Sequence, residues 1–469
     1  MLAELERLSA AFANLVWGTP LLVLLVGGGV FFAIYSRFLP YRHLIHALGI
    51  MVGRYDTPNE PGELTHAQAL AAALSGTLGL GNIAGVALAI VAGGPGAVFW
   101  MWVSALVGIA TKFFTCSLGI MYRGRDSLGQ LQGGPQYIIR EALPRKFYPL
   151  AILFSAAGLI GVLPMFQANQ LTALIRDSFG SGFDPLQFNL AVGCAIAGVV
   201  ALVVFGGLQR VAHVSVALLP AMALTYLGMT VFVLFQHAAQ IPEIFALIFR
   251  EAFAPQAFGG GMMGVILIGI SRGAFSNEAG IGTEVMAHGA ARTNEPIREG
   301  LVAMLGPVID TMVVCTCTAI VILASGLWQA PGELNGIAMT LTALRGEMGA
   351  VATPLLTVVV LILSLTTMFA GWYYGTKCFG FLFGAQYQHW FRYFFLATIF
   401  FGATVSIDVV FNLIVGAYGL MAIPTMIATL LLSGRVMVEA RRYFAKPLQP
   451  TRQWFGGPII QPEAVADEA

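Results

Sequence analysis

The chain has 469 residues, 58% of them hydrophobic and only 10% charged, with 55 glycines. Soluble domains carry roughly 25% charged residues, so the composition excludes a water-soluble globular enzyme and predicts a polytopic membrane protein whose first partner is the lipid bilayer. A formal net charge of +1, from 24 basic and 23 acidic residues, leaves no basic face for a nucleic-acid partner.

The N-terminus carries Glu4, Glu6 and Arg7 rather than a basic leader, and its apolar run ends at Arg37 with no small-residue cleavage site. That run is expected to remain as an anchor over residues 14–34. Crossing the bilayer takes about 20 apolar residues as a helix, whereas barrel strands alternate over about 10. The unalternated runs here predict further helical spans at 66–92, 97–121, 148–175, 188–206, 212–236, 260–289, 300–326, 353–382, 390–406 and 409–433, about eleven in all. Residues 238–256 set Glu243, Arg250 and Glu251 among Ile244, Phe245, Leu247, Ile248 and Phe249, the pattern of an external helix lying in the interface. The polar tail after Lys446 reads as disordered. Cys116, Cys194, Cys315, Cys317 and Cys378 form no C-x-x-C pair and no Cys/His cluster, so neither disulfides nor structural zinc are expected.

Cytoplasmic loops collect lysine and arginine. With the N-terminus outside, eighteen of the 24 basic residues fall on the cytoplasmic side. The opposite side receives Arg7, Arg176, Arg250 and Arg345, and Lys112 and Arg272 lie within spans. The expected placement is the cell (inner) membrane, N-terminus outside and C-terminus cytoplasmic.

One short motif occurs twice: Asn82-Ile83-Ala84-Gly85-Val86-Ala87 and Asn277-Glu278-Ala279-Gly280-Ile281-Gly282. The first copy sits in a span running from inside to outside and the second in a span running from outside to inside, so the copies are inverted. Both lie in glycine-dense patches, and Gly costs about 1 kcal/mol per helix position relative to Ala. Both spans should therefore unwind near the midplane, which is tolerated only where freed backbone groups line a cavity or meet a ligand. Broken helices offer N–H groups to a carboxylate and carbonyls to Na⁺ or an ammonium group. Close helix packing through small residues is the competing explanation.

At these residues the sequence resembles the alanine or glycine:cation symporter family. The likeness covers most of the chain and is carried by Gly79-Leu80-Gly81-Asn82-Ile83-Ala84-Gly85, Gly93-Gly94-Pro95-Gly96, Thr111-Lys112-Phe113, Gly133-Gly134-Pro135, Gln167-Ala168-Asn169, Phe275-Ser276-Asn277-Glu278-Ala279-Gly280, Ile309-Asp310-Thr311 and Gly371-Trp372-Tyr373-Tyr374-Gly375. It implies an all-α leucine-transporter-type core of five plus five helices in inverted repeat with one extra N-terminal helix. The chain would then divide into residues 1–65 (extra helix and loop), 66–236 (first repeat), 237–258 (interfacial helix), 259–433 (second repeat) and 434–469 (tail). It also implies sodium-coupled symport of a small neutral amino acid, alanine or glycine, with proton coupling as the alternative and no cofactor beyond the transported ion.

Resemblance and backbone chemistry together assign Thr77 and Gly79 to the substrate carboxylate, unless the Thr77 hydroxyl bonds its own helix. Asn82 either ligates the cation or caps the second half-helix. Gln167 and Asn169 contact substrate or cross-link helices, with Gln167 favoured for substrate by its place in the motif. Phe275 joins the substrate set through its motif, and Trp372 is expected as an apolar wall limiting side-chain size. Thr366 and Thr367 mark a sodium region, back-bonding being their alternative. Charges within spans are functional candidates: Arg272 and Glu278 could pair across the second break as a gate or brace, and Asp310 needs a proton or a partner such as Lys112. Glu284 and His288 have the spacing of half a metal site, but a solvated helix end is the expected reading. No Ser/His/Asp arrangement and no H-E-x-x-H accompanies the breaks, so no catalytic residues are expected. An amino-acid-gated channel or sensor is the remaining rival.

Overall fold

The computed structural model describes residues 2–446 and 450, apart from 58–59, 181, 255–260, 330–331, 333 and 335. Of the tail after Lys446, expected to be disordered, residues 447–449 and 451–469 lie outside the described residues. The N-terminal anchor is longer than its apolar run: α1 (Leu2–Val16) leads into α2 (Thr19–Tyr35) through a bend of 47°. Gly18 and Pro20 sit at the bend, where a proline in the first helical turn forfeits no bond. Glu4 pairs with Arg7 at 2.6 Å and Glu6 accepts from Ser406, so the polar start of α1 is held without interrupting the helix.

After the short α3 (Leu44–Met51), the first repeat begins with α4 (His66–Thr77), whose start is fixed by a Thr65/Gln68 capping box. The chain breaks at Leu78-Gly79, makes one tight turn over Leu80–Asn82, and resumes as α5 (Ala84–Gly93) at 61° to α4. α6 (Gly96–Met121) is continuous; a two-residue hairpin and α7 (Pro135–Ala142) follow it at the arginine-rich end. The span expected at 148–175 is present over Arg145–Phe179, as two helices, α8 (Tyr148–Gly161) and α9 (Met165–Phe179), interrupted at Val162–Pro164. Pro164 has no N–H to give and cannot sit inside a helix without losing a bond. α10 (Pro185–Val204) and α11 (Gly207–Gln236) complete the first repeat.

α12 (Ile241–Ala252) forms where an interfacial helix is expected, with Ile244, Ile248 and Ala252 buried along one face; residues 255–258 of that prediction lie outside the described residues. The second repeat opens with α13 (Gly261–Asn277), breaks over 278–282 and resumes as α14 (Thr283–His288). α15 (Pro296–Ala324) contains a widened π turn over Val308–Cys315. α16 (Gly336–Met348) has no counterpart in the sequence reading, although Ile337, Leu341 and Leu344 stand at helical spacing and are buried. α17 (Ala352–Phe383), α18 (Phe391–Thr404) and α19 (Ile407–Ala445) finish the fold. α19 outruns its predicted end at 433 because hydropathy registers only the lipid-facing part, whereas beyond it a Glu439–Arg442 pair at 2.5 Å supports the helix.

Among the described residues seven helical segments are long and apolar enough to cross a membrane, and nine if each bent pair counts as one span. The broken α13–α14 and the 14-residue α18 fall short of that test, so the predicted eleven spans are not all of one kind. The anchor lies along α19, where Trp17 Nε1 donates to Val415 O at 2.7 Å and Gly416 and Gly419 admit Phe12 and Val16. α13 packs on α6 in the same manner: Gly269 meets Ala97 and Trp100, and Gly273 meets Ser104. Gly273 is thus a packing residue within a helix.

Candidate functional site

The two breaks meet in the middle of the bundle. At the first, Gly79 is extended, its N–H donates to Asn82 Oδ1 at 3.1 Å, and Asn82 N–H returns to Gly79 O at 3.1 Å. The Asn82 amide then donates to Ser276 Oγ at 3.0 Å and to Asp310 O at 3.1 Å. Asn82 is therefore a cap and a cross-link between the breaks. At the second break Glu278, with φ of 54°, and the left-handed Gly280 and Gly282 turn the chain. Glu278 spans the gap, accepting from Thr283 Oγ1 and from Tyr418 Oη at 2.9 Å, while Asn277 Oδ1 accepts from Ala279 N at 2.9 Å.

Between the breaks lies a cavity of about 20 Å³, walled by Gly76, Gln167, Phe275, Glu278, Thr367 and Tyr374 with the Val162 and Leu163 backbone of the α8–α9 break. That holds about one water molecule. Gly76 and Gly79 let the walls close: a methyl on Gly79 would lie 2.7 Å from Thr367 Oγ1, and one on Gly76 3.2 Å from Tyr374 Oη. The hydroxyls of Thr77, Thr367 and Tyr374 are buried with no hydrogen-bond partner among the described residues. Each such group costs about 1–3 kcal/mol, so the break carries polar groups that its own fold leaves unsatisfied. Thr77 does not bond its own helix, whereas Thr366 does, donating to Ile362 O at 2.9 Å.

Of the residues selected from sequence, Gln167, Phe275, Glu278 and Thr367 wall this cavity, and Thr77, Gly79 and Asn82 form the adjoining break. Trp372 does not reach it. It faces a separate vestibule of about 400 Å³ at the arginine-rich end, together with Glu63, Thr376 and Lys377. Asn169 ties α9 to the end of α18 through Gly402 O and Val405 O at 3.0 and 2.8 Å. Tyr374, Tyr418 and Ser364 were missed. Tyr374 stands in the quoted Gly-Trp-Tyr-Tyr-Gly motif, and Ser364, buried without a partner, lies one turn from Thr367 at i−3.

The predicted Arg272–Glu278 pair does not form. Glu278 is held by Thr283 and Tyr418, while Arg272 lies 3.8 Å above the Phe411 ring. Phe411, Phe275 and Phe166 pack edge to face with centroids 5.1 to 5.6 Å apart, which backs the cavity wall at Phe275. Asp310 accepts from Thr311 Oγ1 at 2.5 Å, and its second oxygen has no partner among the described residues. Lys112, buried against Gly306, acts electrostatically on Asp310, Glu278 and Glu284 without a contact ion pair among the described residues. The solvated-end reading of Glu284 and His288 is overturned: both are fully buried, because α14 is packed between α4, α6 and α15. Glu284 accepts from Thr115 at 3.3 Å, and His288 Nδ1 lies 2.5 Å from Glu299.

Comparison with known proteins agrees with this architecture. The chain is 37% identical over 438 residues to the sodium/alanine symporter AgcS of Methanococcus maripaludis, covering 92% of this chain and 95% of that one. It is 31% identical over 476 residues to the putative sodium/proton-dependent alanine carrier protein YrbD of Bacillus subtilis, covering 97% and 95%. Its fold matches the crystal structure of MhsT in complex with L-phenylalanine with a TM-score of 0.59 at 14% identity, over 80% of this chain and 90% of that one, which places it in the leucine-transporter-type fold. A model of the sodium:alanine symporter family matches residues 2–455. The chain belongs to the sodium:alanine symporter family, as a multi-pass membrane protein that moves amino acids by secondary transport and not as an enzyme.

Proposed function

We propose that the protein couples Na⁺ entry to the uptake of a small neutral amino acid, alanine or glycine, across the cell (inner) membrane by alternating access, with its N-terminus outside and its C-terminus cytoplasmic. The observation that carries this reading is the set of hydroxyls without a partner among the described residues beside a small cavity where inverted broken helices meet. Thr77, the backbone at Gly79 once it exchanges its present bonds, and the Gln167 amide take the carboxylate. Phe275 bounds a short side chain, and Thr367 with carbonyls of the first break takes the cation. Asn82, already engaged on four sides by Gly79, Ser276, Asp310 and Cys315, braces the breaks in this state. The cavity must widen to admit any amino acid, and walls of Phe275, Tyr374 and Tyr418 favour a small one. The membrane potential adds about 2.3 kcal/mol per charge per 100 mV to the ion gradient.

The Glu278 carboxylate in the cavity wall supports a second reading, in which a proton replaces Na⁺. Proteoliposomes decide between them. Labelled alanine should accumulate against its gradient under an imposed Na⁺ gradient and stop when that gradient collapses. Accumulation driven by a pH gradient without Na⁺ selects the proton, and equal uptake with neither gradient refutes symport.

A further inference from the structure

The vestibule at the arginine-rich end carries more chemistry than an exit path requires. Trp372 and Thr376 stand one helical turn apart on the same face of α17, and Lys377 adjoins them. Trp372 is only 7% exposed, yet its indole Nε1–H has no hydrogen-bond partner among the described residues, and neither has the Thr376 hydroxyl. The Lys377 ammonium sits 4.6 Å from the Tyr373 ring centroid and, among the described residues, reaches only one carbonyl, Met286 O, at a long 3.4 Å. Three donors thus line one wall of a cavity of about 400 Å³. Arg392, on the same rim, is already occupied: it donates to His389 O at 2.9 Å and lies 5.1 Å over Phe205. The segment leading into α4 brings the exposed carboxylate of Glu63 to the same vestibule. Donors and one acidic group in the same vestibule are the complement of a zwitterion, with a carboxylate at one end and an ammonium at the other. A buried indole N–H normally finds a partner, and a carboxylate beside Lys377 would satisfy it by charge-assisted bonds.

We propose that this vestibule is a second amino-acid site, distinct from the cavity between the breaks. Lys377 Nζ, Trp372 Nε1 and Thr376 Oγ1 hold the carboxylate, and Glu63 holds the ammonium. The proposal rests on amino-acid transport as the protein's function. A molecule released from the central cavity meets this site next, and a molecule arriving from the same side fills it and slows release.

The test is equilibrium binding of labelled alanine to the purified full chain in Na⁺, read as stoichiometry. Wild type should bind two molecules per chain, in a tight and a weak phase. Lys377→Gln and, separately, Trp372→Phe, which keeps the ring and removes only the donor, should weaken the weak phase at least tenfold and leave the tight phase unchanged. Gln167→Ala should do the reverse. Alaninamide, which lacks the carboxylate, should not compete for the weak phase. Should Lys377→Gln fail to fold, Trp372→Phe decides. A single tight phase in wild type, or a weak phase untouched by Trp372→Phe, overturns the second site alone. No alanine binding in either phase overturns the proposed function with it.

Discussion

Glu299 is fully buried, and its two carboxylate oxygens each lie 2.5 Å from an imidazole Nδ1, His66 on one side and His288 on the other. His66 opens α4 and His288 closes α14, so one side chain ties the arginine-rich halves of both broken spans to the first turn of α15. Replacing it by alanine removes two hydrogen bonds to a charged acceptor, about 1.5–3 kcal/mol each, and strands two buried imidazoles. Breaking a buried pair from one side costs about 3–5 kcal/mol. Because the adjoining backbone bonds remain, Glu299→Ala should lose about 3–5 kcal/mol. Glu299→Gln, which keeps one acceptor, should lose about half of that. Reversible unfolding in mixed micelles measures both, and a double-mutant cycle with His66→Ala should show a coupling of about 1–3 kcal/mol. A loss below 1 kcal/mol for Glu299→Ala, or additive effects in the cycle, would refute the reasoning.

Tyr374→Phe removes a buried hydroxyl with no partner among the described residues, so stability should hold or rise slightly while alanine affinity falls about tenfold, the equivalent of about 1.4 kcal/mol; a matching drop in unfolding free energy would contradict this. Asn82→Ala removes the bonds that Asn82 makes to Gly79 N–H, Ser276 Oγ and Asp310 O, and should cost about 2–4 kcal/mol in the same unfolding assay. Gly371→Ala should destabilise by about 1–3 kcal/mol, because its methyl would meet the Val162 carbonyl, which cannot turn aside as a side chain can. His46, outside the spans, has its pKa lowered to about 4 by burial, with His43 and Arg298 adding to the shift. The unfolded chain takes up its proton near the ordinary pH of about 6.5 and the folded one does not. His46 should therefore remove stability as pH falls from about 6.5 to about 4, a slope that His46→Gln flattens in unfolding curves across that range.

Hydropathy and glycine density made the spans and both central breaks legible, because each is a local property of the chain. The α8–α9 break had an equally local sign in Pro164, but the apolar run around it masked the interruption. What local pattern could not supply was partners. Arg272 and Glu278 are six residues apart and invite pairing, yet one lies on Phe411 and the other on Thr283 and Tyr418, and two of these three partners come from α19. His288 reads as a helix-end residue until α14 is seen to be packed on all sides and Glu299 completes its bond. Trp372 sits in the right motif and on the right helix, but the next residue along, not the motif, decides which cavity a helical side chain faces: Gly371 borders the central one and Trp372 the vestibule.

The bonds at the arginine-rich end also constrain how that end opens. Glu63 and Leu64 N–H donate to Ala290 O at 2.9 and 3.1 Å, Arg292 N–H returns to Leu64 O at 2.6 Å, and Arg123 donates to the carbonyls of Pro61, Ala291 and Thr293. With Glu299 between its two histidines, the segments flanking α4 and α14 are joined by more than five hydrogen bonds. At about 0.5–1.5 kcal/mol each, separating them costs more than the roughly 2.3 kcal/mol that one charge gains in 100 mV. Across the facing boundary, from α14 to α17, two bonds converge on the single carbonyl of Met286, from Tyr373 at 3.3 Å and Lys377 at 3.4 Å. By hydrogen bonds alone, parting the two half-helices from α17 costs less than parting them from each other, and the packing of Gly76 and Gly79 against Tyr374 and Thr367 is what α17 adds on that side.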